Sequence, residues 1–190
     1  MATEGLGSIS NALKGTSGYR NWRLANAINK GVKENAVITA YNRNPVAKDI
    51  GNLWDYQSYL DNVFPNSKVK YVLWHGSRSK NLETFNTNMI GSHMPIKNSV
   101  GMYLAPERNT AVGYGTRGGV YPVLLNTENP FITNQFFEGI SKNGVNVLKI
   151  SPKVRRTLLA NNDAVIAPRR GEIAFFDPDN ALILGSNRDM

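Results

Sequence analysis

The stretch "LWHGSRS", residues 73–79, decides how the rest of this chain is read. The apolar run "KVKYVLW" (68–74) leads into it and stops at a histidine, a glycine and two serines separated by an arginine. The sequence holds only two histidines, and one of them sits at the mouth of a strand with a glycine directly behind it. That placement asks for a chemical reason.

Outward from this point the texture differs on the two sides. Upstream, the pattern is helical. In "NWRLANAINKGVK" (21–33), Trp22, Ala25 and Ile28 recur at a spacing of three. In "KDIGNLWDYQSYLDNVF" (48–64), Ile50, Leu53, Trp54, Leu60 and Phe64 form one apolar stripe, read as core and ended by Pro65. Downstream, short β-branched and aromatic runs alternate with Gly, Asn and Pro. They are "VGMYLA" (100–105), "GVYPVLLN" (119–126), "NVLKIS" (146–151), "DAVIA" (163–167), "EIAFF" (172–176) and "ALILG" (181–185). "SPKVRRTLLANN" (151–162) interrupts them with a helix, Ser151 as its cap and Pro152 at its first position. The expectation is an α+β fold with split antiparallel sheets, comprising a helical extension over 1–66 and a strand-rich domain over 67–190.

Composition fits a globular chain: 41% hydrophobic and 19% charged residues among 190. No apolar run approaches the roughly 18–20 residues that span a bilayer. "MATEGLGSISNALKG" has no basic segment leading into an apolar one, so no secretory signal is expected. The absence of cysteine excludes disulfides and thiolate metal sites and fits a reducing, cytoplasmic setting. A net charge of +8, from 22 basic and 14 acidic residues, favours anionic partners. No run of Lys and Arg exceeds two residues, which argues against a dedicated DNA-binding arm.

Three familiar motifs fail. "GYGTRG" (113–118) spells a dinucleotide fingerprint, but its glycines precede a strand instead of following one. No G-x-S-x-G elbow surrounds Ser77. Two histidines without cysteine make a poor zinc site, so no metal is expected.

What stands is a set of three strands, each carrying one chemically distinctive residue. They are "YVLWHGS" with His75, "VGMYLA" with Tyr103 and "RRGEIAFFD" with Glu172. Together they resemble the catalytic domain of the poly(ADP-ribose) polymerases and the wider diphtheria-toxin-like ADP-ribosyltransferases. "LWHGSR" resembles the family's histidine motif, "GMYLA" its tyrosine strand and "GEIAFFD" its glutamate strand, in the same order. "FPNSKVKYVLWHGS" is also similar to small ADP-ribosyltransferase domains of phages and mobile elements. The resemblance covers roughly residues 67 to 185.

The resemblance implies an NAD-dependent mono-ADP-ribosyltransferase with His75, Tyr103 and Glu172 as its catalytic residues. It implies that His75 meets a ribose hydroxyl, that Gly76 offers its main-chain amide to the nicotinamide carboxamide, and that Ser77 lies in the same site. Tyr103 and Tyr114 become the two walls of a nicotinamide sandwich. The family's serine three residues before the second tyrosine is replaced by Ala111, which passes the role to Thr110. Arg170 stands where arginine-modifying relatives carry Gln or Glu, which argues against guanidinium as acceptor. The expected partners are NAD and a macromolecular acceptor, protein or nucleic acid, in the host of a phage or mobile element, with the chain acting as an effector or toxin. The alternatives are an RNA 2′-phosphotransferase-like enzyme and a module that binds NAD, ADP-ribose or RNA without turnover.

Overall fold

The structure, a computed structural model, describes residues 35–45, 47–90, 101–132, 152–168 and 171–189. Upstream lie helix α1 (35–43), α2 (Ala47–Ile50) and α3 (Leu53–Val63). They are followed by β1 (Leu73–Ser77), β2 (Met102–Leu104), α4 (Arg108–Val112), β3 (Gly119–Leu125) and β4 (Pro130–Ile132). Helix α5 (Pro152–Asn161) and strands β5 (Ala164–Ala167), β6 (Glu172–Phe175) and β7 (Ala181–Ile183) complete the order.

The strands form two sheets, ordered β1-β3-β7 and β2-β6-β5-β4. Period-two alternation sorts their side chains into three layers. Leu73, Val123, Leu125 and Ile183 face inward from the first sheet; Met102, Leu104, Ile166, Ile173 and Phe175 meet them from the second. The alternate residues in the first sheet point the other way. Trp74, Leu124 and Leu182 pack with Ala36, Val37, Ala40, Tyr56 and Leu60 of the upstream helices. On the far side, Val165, Ala167 and Ala174 pack with Leu158 of α5. A bridge between Trp74 and Ala105 stitches the two sheets where β1 meets β2; each residue donates its N–H to the other's carbonyl at 2.8 Å.

The α+β architecture matches the sequence reading, with four differences. The strand expected over 68–74 starts only at Leu73, because Ser67 to Val72 turn the chain into the sheet, with Ser67 Oγ donating to the Leu125 carbonyl at 2.6 Å. Strand β4 carries a proline and pairs in parallel with β5 through a crossover that contains α5, so the second sheet is mixed. The apolar stripe over 48–64 is two helices, not one. Asn52 caps the second by accepting from the Trp54 and Asp55 N–H groups at 2.9 and 3.3 Å, while Asp55 accepts from the Asn52 N–H. That fresh start resets the phase: Tyr56 and Leu60 face the core and Trp54, about 200° from Tyr56 around the helix, is 77% exposed. Trp54 is therefore a surface residue and not core. The expected segments 21–33 and 146–151, and the cap Ser151, lie outside the described residues.

Candidate active site

His75 sits on the inner face of β1, the same face as Leu73, and its ring meets that of Phe85 edge to face with centroids 4.9 Å apart. Phe85 is held in turn on Phe175 at 5.0 Å. The imidazole Nδ1 lies 2.8 Å from the Tyr103 carbonyl oxygen. A carbonyl only accepts, so Nδ1 carries the hydrogen and donates. Burial pushes the His75 pKa down, against a smaller upward pull from that carbonyl. The neutral ring thus has one tautomer, with Nε2 left as an acceptor and no partner for it among the described residues.

Gly76 answers the opening question in a way the sequence did not foresee. A side chain there would run into the Ala111 carbonyl and approach the Gly115 nitrogen and Tyr114 Cβ to 2.9 Å. The glycine exists because α4 and the turn after it lie directly on β1, not because a ligand needs the space of a side chain. Its main chain is another matter. Trp74 directs its N–H and C=O toward β2, so alternation along an antiparallel strand directs those of Gly76 the same way. Beyond Ala105 the β1–β2 ladder has opened, and the Gly76 amide takes no partner among the described residues.

Tyr103 and Glu172 are carried by the adjoining strands β2 and β6. Tyr103 pairs with Ala174 in register, and Glu172 precedes Ala174 by two, so alternation puts both side chains on one face of the sheet. Continuing that register sets Glu172 beside Ala105, with roughly 7–8 Å between its Cα and that of Tyr103. Gly171 before it, at φ 61, has nothing among the described residues within 4 Å of where a side chain would start. Tyr114 stands next to Gly76 and is 52% exposed. His75, Gly76 and Tyr114 thus lie on and beside β1, tied to β2 through the Tyr103 carbonyl, while register puts the Tyr103 and Glu172 side chains together on the face of the second sheet that carries Ala174 and Val165.

Two expected residues are peripheral. Ser77 is buried and its Oγ accepts from the Ser79 N–H at 3.1 Å, shaping the loop that follows. Thr110 is exposed on α4, and its side chain makes no hydrogen bond among the described residues. Two contributors had no sequence motif. Phe85 fixes the imidazole edge-on, and Tyr121, the partner of His75 in β3, pins the next loop by donating to the Ser79 carbonyl at 2.7 Å. Each is a lone aromatic in its segment, a signal too common to single out.

Two facing sheets with helices on both outer faces, joined at the histidine strand, form the frame of the site. A family model described as ADP-ribosyltransferase in polyvalent proteins matches residues 69–179, just over half of the chain. The chain belongs to this family, and its class of activity is ADP-ribosyl transfer. No curated protein and no solved structure matches it. Among the described residues no helix is long and apolar enough to cross a membrane. Nor do they contain a cluster of three or more residues suited to a metal ion.

Proposed function

We propose that the chain is an NAD-dependent mono-ADP-ribosyltransferase, using His75, Tyr103 and Glu172 on a macromolecular acceptor. The observation that carries this reading is the donation from His75 Nδ1 to the Tyr103 carbonyl. It ties the first two motif residues together and leaves Nε2 to accept from a ribose hydroxyl. The open Gly76 amide suits the carboxamide, which needs one donor and one acceptor. Tyr114 stands beside that glycine, and with Tyr103 it would offer ring faces to nicotinamide. Ser77 and Thr110 belong to the rim of the site.

In the proposed step the C1′–N bond breaks and its electron pair leaves with neutral nicotinamide. Positive charge builds on the ribose carbon as it departs. Glu172 opposes that charge in the transition state more than in bound NAD. At ~4 Å and an effective dielectric of ~20, one opposite charge contributes on the order of 4 kcal/mol, about a thousandfold in rate. An N–H or O–H atom of the acceptor then bonds to C1′, and its proton passes to Glu172 and on to water. The compact segments between the motifs favour a single transfer over chain extension. The family's link to polyvalent proteins fits an effector of a mobile element acting in a host cytoplasm.

The test is transfer from biotin-NAD with the wild type, Glu172→Ala and His75→Ala. Labelling by the wild type that both variants lose supports the reading. Equal labelling by all three ends it, and polymer on a gel refutes single transfer.

A further inference from the structure

Residues outside the three motifs give the rim of the site a definite charge. Helix α4 and the turn after it run along the outer face of β1. Arg108 lies over the Trp74 ring, 5.8 Å from its centroid, and Tyr114 stands beside Gly76. Gly118 abuts the main chain of Ser77 and Arg78 so closely that no side chain fits between them. This contact brings Arg117 next to Arg78 at the far end. Tyr121 holds the 79–82 loop, and therefore Lys80, against the same end. From Trp74 to Arg78 is about 13 Å of strand.

The segments 78–82 and 108–118 hold four cations and no carboxylate; Glu83 and Glu107 stand at their edges, and the Glu83 carboxylate accepts from the Asn187 N–H. Arg78, Lys80, Arg108 and Arg117 are all exposed, and among the described residues none is paired with a carboxylate. Three of the four are arginines, whose planar fork meets phosphate oxygens two at a time and stays available while its face rests on an aromatic ring.

From this ridge we propose that the acceptor is single-stranded nucleic acid, held by Arg78, Lys80, Arg108 and Arg117 so that a base or sugar atom reaches Glu172. The inference names the acceptor of the reaction proposed above and rests on that reading. A single strand fits better than a duplex, because atoms of a stacked, paired base are shielded from a site between strands. The row of cations also suits a phosphate backbone, which repeats its charge at a fixed interval whatever the sequence.

The experiment measures anisotropy of a fluorescein-labelled oligo-dT 20-mer and an RNA of equal length, with the full chain, across a salt series. Nicotinamide release and ADP-ribose transfer to the oligonucleotide are followed in the same samples. The wild type should bind and label the strand. Arg78→Ala with Arg117→Ala should weaken binding on the order of tenfold and flatten the log–log salt slope by about 1.4, or 0.7 for each lost phosphate contact. Nicotinamide release should stay within about twofold, as these arginines only hold the acceptor. Replacing both with lysine should restore most of the slope. Unchanged binding by the double alanine variant, or label that goes to an acidic protein but never to the strand, overturns the inference. Release of nicotinamide without oligonucleotide binding removes the inference alone. Binding without any release removes the transferase reading and the acceptor role with it.

Discussion

His75 and Asp189 make an instructive pair, since each is a titratable group out of water with one polar atom lacking a partner. Asp189 is fully buried at the end of the chain. Its Oδ2 accepts from the Tyr56 hydroxyl and from the Gly185 N–H at 2.8 Å, while Oδ1 has no partner. Among the described residues nothing reaches that oxygen. Its expense appears as a pKa pushed up by burial, against the lowering effect of the two donors. His75 is half-buried, its spare nitrogen is accessible, and its neighbours Phe85 and Tyr103 hold the ring still. An unused valence therefore becomes functional only with access. Asp189 is a staple that ties the chain end to α3; His75 is a presented acceptor.

The largest effect that sharpens this contrast is on the catalytic side. Glu172→Gln keeps the size and one acceptor oxygen but removes the charge, and should lower the rate of nicotinamide release about a thousandfold. Undiminished release would place the charge requirement elsewhere. On the structural side, Asp189→Ala leaves the Tyr56 hydroxyl and the Gly185 N–H unpaired in the interior. At about 1–3 kcal/mol for each group, chemical denaturation should show a loss of roughly 2–6 kcal/mol. Activity at low temperature should survive. Asp189→Asn, which keeps an acceptor and removes the buried charge, should stay within about 1 kcal/mol of the wild type.

Gly76→Ala breaks the contact between β1 and α4. The added methyl meets a carbonyl and main-chain nitrogen instead of a yielding side chain, so about 1–3 kcal/mol of stability should go, together with the placement of Tyr114. A variant as stable and active as the wild type would show that α4 shifts freely. The smallest effect is pH dependence, where the two groups run in opposite directions. The folded pKa of His75 is lowered, so its contribution to stability is present above pH 6.5 and fades as pH falls below it. The folded pKa of Asp189 is raised, so its contribution is complete below pH 3.8 and fades as pH rises past that value. Melting temperatures against pH should lose the first trend in His75→Gln and the second in Asp189→Asn.

Much of this was legible in the sequence, and the exceptions share a cause. Strands with β-branched runs bounded by Gly, Asn and Pro, such as β3, β5 and β6, emerged within a residue or two. Local pattern failed where a distant or hidden element intervened. Trp54 left the apolar stripe because the Asn52 cap restarts the helix. Strand β4 was missed because three residues beginning with proline carry no alternation, and its pairing depends on Asp163 accepting from the Asn129 N–H at 2.8 Å. The histidine was legible as chemistry, but its tautomer was not, since a carbonyl 28 residues away sets it. Gly76 was noticed for one reason and exists for another: the neighbour that demands it lies 35 residues downstream at Ala111.

The account turns on His75 presenting Nε2 to the same dinucleotide that Glu172 acts on. Long-range 1H–15N NMR of the two histidine side chains, with and without NAD, tests this directly. At pH 7.5 the His75 ring should be neutral with its proton on Nδ1, and NAD should shift Nε2 alone, in Glu172→Gln as in the wild type. A proton on Nε2, or a His75 spectrum indifferent to NAD, would contradict the account.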